Sequence, residues 1–535
     1  MTMAPPRPSR PLEHADPAPP RSALSLAPNP ILVETLAAAG DGRAPAPAGT
    51  ARASVPPEPP DTPARPAFHR YHIAARPAPD LANLPSRFLV KVSRPGLAKL
   101  LVTEFVQYFG HWETVLSRPC VYGVFSGPVG GFAPRPNLCV GCLRCTIQHP
   151  DVVKIERNPA WAAWGDDFFK PAMVETVLTE AATGAVPVKG QGYRGKFGGQ
   201  GWDAIWTDMS EIVRPTRDGI HGREMISTAV DLGAKPMHLR FDAAGAVLGA
   251  APHVTTLPLP LLFDTPPDAV LADPRVVAAW SDAARSIETL AVLPLDVIAR
   301  AQLDGTHIAP RLTAGRDDAA ALAALPFAPR LVEVDDVALS AAVAEHAPGA
   351  VVALRLAAAP GWWTAFERGY ANGIRAFHVA CDLHGRGVDA ADQPAFVRDI
   401  LVDLHRRLVA RGVRDEVTII ASGGLVMAEH LPKAIICGAD AVALESPLIA
   451  ALQARPLDGG TTAATARYAL PDGLDAAWAA QRIVNLCGAW RDQLLEIMGA
   501  MGLREVRRLR GELGRAMFQP DLEHEAFGGI DGYPG

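Results

Sequence analysis

Between about residue 237 and residue 444, short apolar runs alternate with stretches of helical spacing, and this alternation constrains the fold more than any other feature of the chain. The runs are Met237–Phe241, Leu290–Leu293, His307–Leu312, Arg330–Val334, Ala350–Leu354, Ala376–Ala380, Val417–Ile420 and Ala441–Leu444. Between them, Val277–Leu290, Asp336–Glu345, Trp363–Ala371, Pro394–Arg411 and Leu431–Cys437 have apolar residues at helical intervals. Strands that alternate with helices lie parallel, because a parallel crossover needs a dozen or more residues. About eight such units in roughly 220 residues suit a closed (β/α)8 TIM barrel. An open doubly wound sheet is the competing arrangement.

The flanks have a different character. Of the 50 prolines in the 535 residues, 19 precede residue 81. Pro, Ala and Arg dominate there, and a segment that poor in apolar side chains cannot offset the entropy lost on ordering. The reading is therefore a disordered Pro/Ala-rich tail over 1–80. Regular patterning begins after it, with Phe88–Val92 strand-like and Leu97–Tyr108 helical. A cysteine-bearing module spans 81–158, a Gly- and Trp-rich arm 159–225, the barrel 226–455 and a helical C-terminal extension 456–535. That extension is helical almost throughout from Leu474 to Arg515, with breaks at Gly502 and Gly511.

Charge and hydropathy exclude several classes. The 51 Lys+Arg and 57 Asp+Glu are spread along the chain and leave a formal net charge of -6, so the basic field of a nucleic-acid binder is missing. No run of 18 or more uncharged apolar residues offers a membrane span, and Met1–Pro20 lacks the apolar core of a secretory signal. A cytoplasmic protein is expected.

Three of the seven cysteines fall within seven residues: Cys139-Val-Gly-Cys142-Leu-Arg-Cys145. This C-x2-C-x2-C spacing, followed by Pro150, is that of a bacterial ferredoxin run, in which three thiolates wrap one corner of an iron–sulfur cube. Gly141 lets the backbone close around inorganic sulfide. The position of the fourth cysteine is occupied by His149, so a 4Fe–4S cluster would need Cys120 or His149, and a 3Fe–4S cluster would need neither. A Cys3His zinc site fits the same residues. Cys381, Cys437 and Cys487 sit in apolar segments and read as buried small hydrophobes.

In a barrel the chemistry lies where strands end. Gly423-Gly424 follow the seventh run, and Glu445-Ser446 follow the eighth. Consecutive glycines there let bare amides approach a phosphate, with a helix N-terminus supplying more donors; a plain tight turn is the alternative. Arg355, after Ala350–Leu354, points a cation toward the same mouth, and Asp382 with His384 forms a candidate acid/base pair. The arm residues Lys189–Trp202 read as a packed glycine-flexed loop. Arg214–Arg223 read as a salt-bridged lid or an anion grip.

The segments Trp206–Glu224, Ile419–Leu425, Cys437–Val442 and Leu494–Gly502 resemble the FMN-binding, glutamate-synthase-like family over roughly residues 85–530. The resemblance implies FMN on the barrel, an iron–sulfur relay, and amination of 2-oxoglutarate to glutamate with electrons from a ferredoxin or an NAD(P)H-oxidising partner. It carries Gly423, Gly424, Glu445 and Ser446 over to the FMN phosphate, and Arg355 to the place of a lysine near the flavin. Four features depart from the family, the first being that its three-iron cysteine run after the flavin strands is absent and a ferredoxin-like motif lies upstream instead. Leu262–Val270 stands where a Met-Ser-Phe-Gly-Ala-Leu-Ser segment lies against the flavin, and Asp382–Arg386 replaces a His-Asp-Gly-Gly loop. The N-terminal nucleophilic cysteine of a glutaminase is also absent, so ammonia or a partner's product is expected to serve. Three functions compete on these residues: a flavin and iron–sulfur oxidoreductase, a degenerate barrel acting as an electron-transfer or scaffold subunit, and a zinc-stabilised barrel for a phosphorylated metabolite.

Overall fold

A computed structural model describes residues 71–111, 120–127, 129–186, 199–209, 225–235, 240–248, 253–388 and 395–530. Compact units divide at residue 69, and the unit described is the second, from Arg70 onward. The expected strand Met237–Phe241 and the segments Lys189–Trp202 and Trp206–Glu224 lie partly outside the described residues. Arg214–Arg223 lies wholly outside them.

The cysteine module is built on an antiparallel pair, β1 (Phe88–Val92) and β2 (Val153–Arg157), in register from Phe88 opposite Arg157 to Val92 opposite Val153. Helix α1 (Arg94–Gln107) follows β1, capped by the Ser93 hydroxyl, which accepts from the Gly96 amide. A short helix α2 (Arg144–Gln148) carries the third cysteine of the motif. Val124, Phe125, Cys139, Val152 and Val153 form a small core of their own.

Helix α3 (Pro171–Thr183) then packs against the body of the chain, and a hairpin of β3 (Val230–Gly233) and β4 (Val254–Leu257) leads into the barrel. The barrel strands are β5 (Leu261–Phe263), β6 (Ala291–Pro294), β7 (Ile308–Leu312), β8 (Leu331–Val334), β9 (Val351–Ala357), β10 (Ala376–Ala380), β11 (Thr418–Ser422) and β12 (Ala441–Leu444). Each is parallel to its neighbours, and β12 pairs with β5 to close the cylinder. The TIM barrel, rather than the open sheet, is thus the architecture. Seven of its strands are runs of wholly or almost wholly buried residues, as expected where helices cover one face and the barrel interior the other.

Three expectations are corrected. The first barrel strand is Leu261–Phe263; Arg240–Phe241 instead pairs with Val247–Leu248 in a small hairpin outside the cylinder. Residues 71–80, assigned to the tail, belong to the body: Ile73 and Ala78 are buried, and the Ala78 carbonyl and the Asp80 carboxylate both accept from Arg482. The extension is less helical than its spacing suggests. Its single long helix, α4 (Ala476–Ala500), is capped by Asp475 and stops before Gly502, which has φ +68°. Short 3-10 turns follow, and Ala516–Phe518 pairs with Ile205–Thr207 as a strand.

Candidate functional site at the barrel mouth

The barrel strands bring charged side chains into their otherwise apolar interior at one level. Arg355 lies in β9, and strand register sets it beside His378 of β10, while Arg311 of β7 is set beside Glu333 of β8. Asp264 follows β5 directly. Arg355 donates to both oxygens of Asp264, at 2.9 and 3.0 Å, and to Glu333 Oε1 at 2.9 Å. The second oxygen of Glu333 lies 2.5 Å from His378 Nδ1. A carboxylate only accepts, so Nδ1 carries the proton in that contact. Burial by itself would raise the carboxyls of Asp264 and Glu333; the Arg355 charge overrides it and holds both down, Glu333 at about 2.

Above this layer lies a cavity of about 640 Å³ at the C-terminal ends of the strands. Leu354, Leu356, Ala380, Val388 and Trp362 form its apolar wall, and Asp264, Arg311, Arg355, Asp382 and Glu445 bring charge to it. Thr462 to Ala464, from the segment after the barrel, close one side. Several buried polar atoms at this end have no hydrogen-bond partner: Arg311 Nε, His378 Nε2, Ser422 Oγ and Glu445 Oε2. Buried polar atoms are normally satisfied, and two of these residues, Arg311 and Glu445, line the cavity, which marks it as a place for a polar ligand.

The predicted residues separate into two sets. Arg355, Asp382 and Glu445 line the cavity; His384, Gly423, Gly424 and Ser446 do not. Arg355 is not a free cation aimed at the mouth, because two carboxylates neutralise it. Asp382 and His384 do not pair with each other. The Asp382 carboxylate accepts from the Arg386 amide, whereas His384 stacks on Phe168 and bonds Asp166 at 2.9 Å.

The double glycine is buried beneath the loop that follows β10. The Gly424 amide donates to the Leu383 carbonyl, and a side chain on Gly423 would meet the Asp382 carbonyl at 2.4 Å. Ser446 Oγ is 3.4 Å from Glu445 Oε1. Burial and the neighbouring Asp264 charge push the Glu445 carboxyl well above its usual range. The cavity offers an apolar wall and a charged floor, but the expected phosphate cradle at Gly423 and Gly424 does not open onto it.

Sequence reasoning missed Asp264, Arg311, Glu333 and His378. The signal was present in Arg330–Val334 and Ala376–Ala380, each of which places one ionisable residue inside an apolar strand.

At the cysteine module, Cys139 is buried, Cys145 half-buried and Cys142 exposed, and all three are free thiols. They line one small pocket together with Cys120, while His149 is not part of it. Burial raises the thiols of Cys139 and Cys145.

Residues 391–504 match a family model described as the conserved region in glutamate synthase. An archaeal-type glutamate synthase [NADPH] of Dehalococcoides mccartyi is 22% identical over 444 residues, 70% of this chain and 86% of that protein. The archaeal glutamate synthase [NADPH] of Methanocaldococcus jannaschii is 36% identical over 118 residues, 21% of this chain and 23% of its own length. The match thus spans under a quarter of that relative. Among solved structures, mandelate oxidase with benzoyl-formic acid aligns at a TM-score of 0.38 and 16% identity, over 58% of this chain and 86% of that one. The resemblance to the glutamate-synthase-like family, first seen in short motifs, extends along most of the chain in the Dehalococcoides match.

Proposed function

We propose that this chain is a glutamate-synthase-type oxidoreductase that reductively aminates a 2-oxo acid, 2-oxoglutarate to glutamate, at the barrel mouth. Cys139, Cys142 and Cys145 would hold an iron–sulfur cluster able to take electrons from a ferredoxin or an NAD(P)H-oxidising partner, with ammonia from solution or a partner subunit. The observation that carries the reading is the 640 Å³ cavity at the C-terminal end of a closed parallel barrel, into whose lining Arg311 Nε and Glu445 Oε2 bring unpartnered polar atoms. FMN, when bound, would supply hydride chemistry, and Leu354, Leu356 and Trp362 are apolar lining residues that would hold it.

The chain's own groups have separate tasks. Arg311 binds a substrate carboxylate: its Nε has no hydrogen bond, and the nearest Glu333 oxygen stands 3.8 Å away. Arg355 is held rigid by Asp264 and Glu333 and sets the positive field at the floor. Glu445 faces the cavity with its carboxyl raised and Oε2 unpartnered, and is the group that would pass a proton to the nitrogen or oxygen of a bound substrate. Replacing Arg311 with Gln removes a charge-assisted bond worth roughly 1.5–3 kcal/mol, or about a ten- to hundredfold rise in KM for the 2-oxo acid.

A second reading has its own support. The closed Gly423-Gly424 turn and the carboxyl at Glu445 disfavour a phosphate dianion, and so favour a barrel without flavin that passes electrons within a larger complex. One measurement separates the two readings: acid-released flavin, iron and sulfide on anaerobically purified protein. Flavin near one per chain supports the enzyme; iron and sulfide without flavin support the electron-transfer subunit.

A further inference from the structure

Resting on the iron–sulfur reading of the Cys139–Cys145 loop, we propose that Cys120 is the fourth protein ligand, making the site a four-thiolate cradle for a 4Fe–4S cluster. Four of the seven cysteines face one pocket, though nineteen residues of sequence separate Cys120 from Cys139. The fold brings them together by a specific route. The Cys120 carbonyl accepts from the Gly123 amide, which turns the chain, and the Val124 carbonyl then accepts from the Arg135 amide at 2.7 Å. That bond ties the Cys120 segment to the residues leading into Cys139, and Val124 and Phe125 share a core with Cys139.

The loop itself is shaped for the purpose. Gly141 at φ +73° and Leu143 at φ +59° turn the backbone twice in the left-handed region, so successive cysteines face the same pocket. A side chain on Gly141 would meet the Phe88 ring at 2.4 Å, which fixes the loop against β1. Val124, Phe125 and Ile155 line the pocket beside the sulfurs and shield it from water.

His149 does not line the pocket; its backbone caps α2, its amide donating to the Cys145 carbonyl and its carbonyl accepting from Val152 and Val153. Zinc fits poorly as well. Tetrahedral zinc with bonds of about 2.3 Å holds its thiolates within roughly 4 Å of one another. Among the described residues, two groups bring three ligand atoms within 4.8 Å, and neither contains a cysteine. A cube spaces its thiolates further apart, because iron–sulfide edges lie between them.

The test uses the full chain, purified anaerobically and reconstituted with iron and sulfide. Wild type is expected to hold about four irons and four sulfides and to be paramagnetic when reduced. C120A is expected to fall to about three irons and to show the oxidised-state signal of a 3Fe cluster, while H149A matches wild type. A C120A protein that keeps four irons, or an H149A protein that drops to three, overturns the assignment of Cys120. About one zinc and no iron overturns the cluster reading itself, a different failure. Should C120A not fold, the reduced wild type still decides: a histidine nitrogen coupled to the cluster spin refutes Cys120, and its absence supports it.

Discussion

Arg355 grips Asp264 through two parallel hydrogen bonds of 2.9 and 3.0 Å beneath the cavity, and a further bond of 2.9 Å reaches Glu333. Breaking a buried pair on one side leaves the other charge uncompensated, so Arg355→Met is expected to cost about 3–5 kcal/mol. The pH dependence follows from the two carboxyls, both depressed in the folded state. Their contribution is complete above the unfolded carboxyl range and is lost as pH falls through the folded values, Glu333 at about 2. In the variant these carboxyls lose their cation, and burial raises them. The gap between the two proteins in urea melts should be widest near neutral pH and close below about pH 4. A gap that stays constant from pH 7 to pH 3 would show that the network is not what the substitution removes.

Glu445 has the opposite sign. Burial and Asp264 raise its carboxyl, so folding is unpenalised below the unfolded value and loses stability as pH rises toward the folded one. Each unit between the two costs about 1.4 kcal/mol. Glu445→Gln carries no such cost, and its thermal stability relative to wild type should rise steadily from pH 4 to pH 8. Turnover should fall in the same variant, because Gln holds no transferable proton. Parallel stability profiles would place Glu445 among ordinary ionised carboxylates.

At the opposite end of the barrel, Asp440 accepts from Arg414 and Arg510 at 2.9 Å, from Lys235 at 3.2 Å and from the Ile419 amide at 2.8 Å. This face of a barrel serves stability, not chemistry. Asp440→Ala strands the buried Arg414 guanidinium and is expected to cost about 3–5 kcal/mol. KM for the 2-oxo acid should be unchanged in the protein that remains folded at low temperature; a KM change would tie this end of the barrel to substrate.

The barrel was legible because seven of its eight strands are apolar runs of four residues or more, separated by helical spacing. Leu261–Phe263 escaped because it is three residues long and follows Pro258 and Pro260, which read as loop. The cysteine loop was equally legible from spacing alone, since its three thiols reach one pocket from a single short segment. The charged floor was not. Arg311, Glu333, Arg355 and His378 are scattered over 68 residues, and only the parallel pairing of β7 to β10 in register makes them neighbours. His384 shows the converse, because its nearness to Asp382 in sequence suggested a pair, while the arm residues Asp166 and Phe168 hold it elsewhere.

Gly423 tests how the loop after β10 and the turn after β11 share their space. Its φ of +95° lies in the left-handed region, and an added Cβ would stand 2.4 Å from the Asp382 carbonyl and 2.9 Å from Cys381 Cβ. The backbone penalty of about 1–2 kcal/mol and an overpacking penalty of about 1–3 kcal/mol both apply to Gly423→Ala. Gly424→Ala, whose Cβ would meet Gly385 Cα at 3.0 Å, should be milder, and Gly459→Ala, in open space, should be silent. Because Asp382 and Leu383 line the cavity, relief of the Gly423 clash pushes that wall inward. Flavin retained per folded chain then discriminates. If the phosphate sits at the double glycine, both Gly423→Ala and Gly424→Ala release flavin; if only the ring is held, Gly423→Ala weakens it through the displaced wall while Gly424→Ala keeps it. Full flavin retention in both variants would show that the turn touches neither part of the cofactor.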